Sequence, residues 1–298
     1  MVEKRTWRDV LFQAVDGFVF SLLALICFYP FYYIAINTVS SNDAVARGEV
    51  LFGIAGFHMT NYAEVFQLKG LPNAALISLA RTVLGTALTV LCTSFLAYAM
   101  TRKEYWHRVF WYRFCIATMY FSAGLIPAYL LIKRLGLFNN FLVYIIPGIV
   151  APYYMVLIKT YIESIPPSLE ESAMLDGAGY FTRFFRIILP LSKPVIASVI
   201  VFCSVGQWNS FMDTVLYMTG GRWQTMQSML YNYLNETSML ASMIQRSQSV
   251  SSIVLATRLT PVSVRYTVTF ITVLPILVVY PFFQRYFASG IMLGAVKG

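Results

Sequence analysis

Charge is scarce in this chain: 298 residues carry 13 acidic and 22 basic side chains, while 58% of residues are hydrophobic. An ordinary soluble domain is only about 45–50% apolar, and the mean hydropathy here is +0.65. Histidine is nearly absent. His58 and His107 stand in separate loops, and neither an H-E-x-x-H nor a G-x-S-x-G stretch occurs, which argues against a membrane hydrolase. The four cysteines, Cys27, Cys92, Cys115 and Cys203, all fall inside apolar runs, without metal-ligand spacing or a disulfide framework. They read as packing residues. No G-x-x-x-x-G-K-[ST] phosphate loop is present, so the chain is not expected to hydrolyse ATP by itself. There is no fixed-period repeat and no low-complexity tract, and residues 1–298 read as a single membrane domain.

What is present is a series of long uncharged runs: Gly17–Val39, Thr82–Thr101, Phe114–Ile132, Leu135–Ile158, Pro194–Met212 and Tyr266–Phe283. Each reaches the roughly 18–20 residues that a helix needs to cross about 30 Å of hydrocarbon. None alternates polar and apolar residues as a membrane barrel would. The expected fold is therefore an all-α membrane protein of six transmembrane helices. The first run is too long for a signal-peptide core and lacks a small-x-small site after it, so it reads as an anchor.

Lysine and arginine set the orientation. Lys4, Arg5, Arg8, Arg102, Lys103 and Arg108 would all be inside if the N-terminus is, and inner segments hold more basic residues than the longer outer ones. Both termini are expected in the cytoplasm. The net charge of +9 then needs no nucleic acid, because basic residues flanking membrane helices account for it.

One cytoplasmic loop, 164–193, breaks the apolar pattern. "IPPSLEESAMLDGAGYFTRFFRIILPLSKP" opens with two prolines, and Ser168 with Glu171 three residues on has the form of a capping box. Glu170 and Glu171 suit the positive end of a helix dipole. Leu169, Ala173 and Met174 make a narrow apolar stripe, beside the small residues Ser172, Gly177 and Ala178. Gly177 and Gly179 permit a sharp turn. A second short helix, "YFTRFFRII", is expected to turn Arg183 and Arg186 away from Phe184, Phe185 and Ile188, with Pro190 and Pro194 ending it. An interfacial amphipathic loop is the plain alternative.

The spacing adds to this. Glu171-Ser172-Ala173, Gly177 and Ile187-Ile188-Leu189-Pro190 match EAA-x3-G-x9-I-x-L-P, with Ser172 as the one departure. This resembles the signature loop of permease subunits in bacterial ATP-binding-cassette importers, and the likeness spans nearly the whole chain. The "LEESAMLDGA" form resembles the MalG-type subunit of carbohydrate importers. "FSAGLIPAYLLIKRLGLFNN" and "GIMLGAVKG" are similar to the branch importing oligosaccharides derived from polysaccharides, a uronate-containing sugar among them. The resemblance implies a second permease subunit, in a heterodimer, together with two ATPase subunits that hold ATP and Mg, and an extracytoplasmic binding protein. It implies that Glu170–Gly179 is a coupling helix docked on an ATPase subunit. Glu170, Glu171, Ser172, Ala173, Asp176, Gly177 and Gly179 are the expected contact residues: Glu171 for polar docking, Ala173 for close packing, Gly177 for the turn. It further implies that the outer segment 220–261, with Trp223, Tyr231, Tyr233, Arg246 and Arg258, meets the binding protein. The tail Ser289–Gly298 would reach the ATPase pair.

The fifth run carries Gln207, Trp208, Asn209 and Asp213, candidates for the substrate path. Polar groups at membrane depth face a cavity or a partner helix, and Trp208 offers a ring on which a sugar could stack. Asn209 and Asp213 would share a face one helical turn apart. Arg81, near the outer end of the second run, is expected to snorkel. An ion-coupled secondary transporter is the alternative function, although Asp213 is the one midplane carboxylate available to it.

Overall fold

A computed structural model describes residues 7–68, 70–235 and 261–290. Arg246, Arg258 and residues 291–298 of the tail lie outside the described residues. The described part consists of helices and connections. In chain order these are α1 (Trp7–Thr38), α2 (Asn42–Ala46), α3 (Thr60–Phe66), α4 (Leu71–Thr101), α5 (Arg108–Ala117), α6 (Leu125–Arg134), α7 (Pro152–Ile162), α8 (Ser168–Leu175), α9 (Tyr180–Arg183), α10 (Leu189–Leu191), α11 (Lys193–Asn209) and α12 (Met212–Tyr217). A last long helix spans Pro261–Gly290. The all-α membrane fold is as the composition requires.

Three of these helices are long and apolar enough to cross a membrane: α1, α4 and Val262–Val279 of the last helix. Counting two bent pairs as one span each gives up to five among the described residues. The expected third span, Phe114–Ile132, is not one helix. α5 stops at Ala117, and residues 118–124 are non-helical before α6. The reason is local: Gly124 sits at φ +82°, and Pro127 in the first turn of α6 has no N–H to extend a helix backwards. The fourth is likewise broken into 3-10 turns (Phe141–Tyr144, Ile146–Gly148) followed by α7 at 47°. The fifth ends at Asn209.

Two compact units result, one from residues 1–68 and 232–274, the other from 69–231 and 275–298. In the second, α4 packs on α7 and α11 through Val90, Ala97, Met155, Ile158, Phe184 and Val199. A polar stripe on α4 repairs the broken helices around it. Thr89 Oγ1 donates to the Gly148 carbonyl at 2.9 Å, and Thr93 Oγ1 accepts from the Ala151 amide at 3.1 Å. The Ser78 hydroxyl accepts from the Met226 amide at 2.8 Å. Backbone groups freed by a break in an apolar medium cost several kcal/mol each if left unpaired, and residues three to four apart on α4 supply the partners.

In the first unit the turn after α1 is pinned by buried amides. Asn37 Nδ2 donates to the Val50 carbonyl at 3.3 Å, and Asn61 Nδ2 donates to the Thr38 carbonyl at 3.1 Å. Tyr33 and Tyr266 meet hydroxyl to hydroxyl at 3.3 Å. On its exposed surface Arg47 donates to Glu49 through Nε at 2.6 Å, which holds the Glu49 carboxyl below the usual range. The α1 residues from Trp7 to Tyr32 are exposed.

Candidate functional site

The loop between α7 and α11 forms a short helix with a defined end. α8 stops because Gly177 adopts φ +79°, a left-handed conformation that side-chain-bearing residues avoid. The Ala178 amide then donates to the Ala173 carbonyl at 2.9 Å and the Gly177 amide to the Met174 carbonyl at 3.1 Å, the paired bonds of a Schellman termination. Gly179, at φ −69° and ψ 167°, is ordinary extended backbone, so Gly177 alone makes the turn that both glycines were expected to share.

The expected capping box does not form. Pro167 is already helical at φ −59° and ψ −30°, which pulls Ser168 into the first turn and leaves its hydroxyl without a cap bond. Proline's fixed φ begins the helix one residue early. Its acidic residues then separate. Glu171, Ser172, Asp176, Gly177 and Gly179 are exposed and Ala173 is half-buried, but Glu170 is buried. Glu170 Oε1 accepts from the Tyr98 hydroxyl at 2.7 Å and from Arg183 Nη1 at 3.3 Å, while Oε2 is paired with Arg102.

Arg183 therefore does not face away from Phe184; both are buried. The helix past Arg183 widens into a π turn at Phe184–Ile188, and the inward carboxylate gives the guanidinium its partner. Arg186 and Phe185 are on the exposed side. The direction then changes by 82° between 180–191 and α11. The outward part of α8 is apolar at its end: Leu175 is 89% exposed and Met174 59%.

A second polar cluster lies at the other end of α11. Helix α11 ends at Asn209, with Ser210 extended and Phe211 non-helical before α12, so Asn209 and Asp213 do not share a helical face as expected. Arg81 holds the break together. Its Nε donates to Gln207 Oε1 at 3.0 Å, its Nη1 to the Ser210 carbonyl at 3.1 Å and to Asp213 Oδ1 at 3.0 Å, and its Nη2 pairs with Asp213 Oδ2. Arg81 does not snorkel. It is 3% exposed and lies 4.5 Å from the centre of the Tyr144 ring, because a buried guanidinium needs a carboxylate and several acceptors to stay charged.

Gly85 admits Gln207: a Cβ there would lie 2.8 Å from Nε2. Asn209 is exposed and accepts from Gln227 Nε2 at 3.1 Å. Trp208 is half-buried and lines an apolar cavity of about 1030 Å³ with Thr82, Thr86, Ile200 and Pro275. The sequence named Gln207 and Asp213 but not their organiser. An arginine and an aspartate, each isolated in an apolar run, was the available signal.

Residues 10–293 match the model of the family described as binding-protein-dependent transport system inner membrane component. The chain is 31% identical over 284 residues to the polygalacturonan/rhamnogalacturonan transport system permease protein YtcP of Bacillus subtilis, covering 95% of this chain and 97% of that one. It is 32% identical over 270 residues to protein LplC of the same organism, covering 90% and 89%. A crystal structure of a bacterial ABC transporter involved in the import of the acidic polysaccharide alginate contains a chain that superposes with TM-score 0.84. That chain is 25% identical, with 96% of this chain and 100% of it covered. These likenesses favour the importer over the ion-coupled carrier. A match over most of its length places the chain in the family of binding-protein-dependent transport system inner membrane components, and it is the permease side of an ATP-binding-cassette importer.

Proposed function

We propose that this permease carries a uronate-containing oligosaccharide, released from a plant or algal polysaccharide, from an extracytoplasmic binding protein into the cytoplasm. The observation that carries the substrate class is the pairing of relatives: one is named for polygalacturonan and rhamnogalacturonan, and the structural neighbour for alginate. All three of these polymers contain uronic acids. ATP and Mg belong to two separate ATPase subunits, and a second permease subunit completes the path. Both termini lie in the cytoplasm, on the side of α8.

In this reading α8 is the coupling helix. Glu171, Ser172, Asp176 and Gly177 face the ATPase subunit with Met174 and Leu175, Ala173 packs closely, and Gly179 leads back to the membrane. Its support is a helix terminated by its own Gly177 turn, with the apolar Leu175 at its end 89% exposed. Gln207, Trp208, Asn209 and Asp213 border the path. Trp208 and Asn209 carry the direct contacts, while Gln207 and Asp213 are held by Arg81. Because Arg81 is 3% exposed and bonded to its own chain, recognition of the sugar carboxylates falls to other residues or to the binding protein.

The test is purification of the tagged chain from its native membrane in mild detergent, followed by reconstitution with binding protein and an oligogalacturonide. Copurifying ATPase and permease subunits, with ATP-dependent uptake of the acidic sugar over a neutral maltooligosaccharide, are expected. A chain that purifies alone and takes up sugar along an ion gradient would overturn the importer reading. Preference for the neutral sugar would overturn the substrate class alone.

A further inference from the structure

The least expected contact in the molecule is the burial of Glu170. It lies on the helix read as the ATPase contact, yet its carboxylate points into the permease. Three side chains converge on it: Tyr98 and Arg102 from the end of α4, and Arg183 from α9. Tyr98 is 2% exposed, Arg183 6% and Glu170 7%. Around the carboxylate the rings interlock. Phe184 lies 5.5 Å from Tyr98 and 5.2 Å from Phe95, and Phe181 stacks on Phe95 at 5.4 Å.

We propose that Glu170 is a positioning residue: it fastens α8 to α4, so that a displacement of α8 drives α4 and α11 together, and it makes no contact with the ATPase subunit. The inference rests on the reading of α8 as the coupling helix and reassigns one of its residues. Covalently, α8 reaches α11 only through the Gly177 turn and the 82° bend. A helix held only by the chain at its two ends, to α7 before it and through the Gly177 turn after it, can rotate about the line joining them, and that motion is lost. The Glu170 junction supplies a third attachment, on α4, so that rotation is transmitted as well as translation. One carboxylate between two arginines is well suited to this. Its two oxygens accept from α4 and α9 at once, and breaking the Arg183 pair leaves a buried guanidinium, and the Arg102 pair a half-buried one, short of an acceptor.

The experiment uses the assembled importer in lipid with its binding protein and oligogalacturonide. It records two quantities: ATPase subunit retained per permease, and ATP hydrolysed per sugar imported. Glu170→Gln is expected to retain the ATPase subunit and to raise ATP consumed per sugar by about 2- to 30-fold, the span of mutational coupling changes. Tyr98→Phe, which removes a single hydrogen bond, should raise it less. Glu170→Asp keeps a carboxylate between Arg102 and Arg183 and should hold the ratio nearer that of the unaltered importer than Glu170→Gln does, even if Glu170→Gln assembles poorly. Loss of the ATPase subunit with an unchanged ratio would make Glu170 a docking contact. A smaller yield of complex with an unchanged ratio, or a ratio no lower for Glu170→Asp than for Glu170→Gln, would also overturn the proposal. Failure of the unaltered importer to couple uptake to ATP would instead strike the functional reading.

Discussion

Replacing Arg81 by methionine removes the organiser of the α11 break while keeping much of its volume. The loss can be sized from the contacts. Arg81 is 3% exposed and makes bonds to Gln207, Ser210 and both oxygens of Asp213. Removing one member of a buried pair costs about 3–5 kcal/mol, mainly because the other charge is left uncompensated. The Asp213 side chain keeps 22% exposure, so water screens part of the deficit. The expected loss is therefore near the lower end, about 3 kcal/mol, or on the order of a hundredfold in the population of the opened state.

Cys203 is a reporter for that opening: it is buried on α11 against α4. In a variant with Cys27, Cys92 and Cys115 changed to alanine, the temperature at which a thiol reagent reaches Cys203 should fall for Arg81→Met. Asp213→Leu added to it removes the stranded carboxylate and should recover most of the loss. A coupling between the two changes of roughly 2 kcal/mol is within the range for residues in one network. An unaltered midpoint for Arg81→Met, or a double variant no better than the single, would refute the claim that the pair holds the break.

Three further outcomes follow from particular residues. Gly85→Ala adds a methyl 2.8 Å from the Gln207 amide. The helix gains about 1 kcal/mol in propensity and Gln207 loses its place against Arg81, costing about the same, so uptake should fall while stability stays nearly level. At Gly177, where φ is +79° and a Cβ would meet nothing within 4 Å, alanine should cost about 1–2 kcal/mol of local backbone strain. Arginine there adds bulk on the exposed face as well, and should abolish ATP-driven uptake with the chain still inserted. Leu175→Asp, at a site 89% exposed, should leave the chain's own stability within about 0.5 kcal/mol. It should reduce the copurifying ATPase subunit, and unchanged retention would remove Leu175 from the docking surface.

Several features were legible in the sequence because they are set within a few residues. Helical, membrane-spanning character follows from uninterrupted apolar runs, since lipid leaves the backbone no other partner. The short helix 168–175 and its Gly177 end follow from prolines before it and a glycine after it. The polar residues of the fifth run were visible as exceptions to their surroundings.

What the local pattern could not contain was the identity of partners distant in sequence. Glu170 reads as an ordinary first-turn acid until Tyr98 and Arg102, some seventy positions earlier, are brought beneath it. Arg81 reads as a snorkelling cation until Asp213 arrives from 132 positions away. The breaks at 118–124, 149–151 and 210–211 also escaped a hydropathy reading, which registers how apolar a run is and not whether its backbone continues as a helix. Thr89 and Thr93 of α4 decide whether a break at 149–151 is tolerable, and only packing brings them there. The sequence by itself thus determined the solvent, the helical class and the short helix 168–175, all consequences of local composition. The tertiary structure decided which charges are buried, and so which residues hold the helices and which are left to meet another protein, because burying a charge depends on a counter-charge the chain supplies from far away.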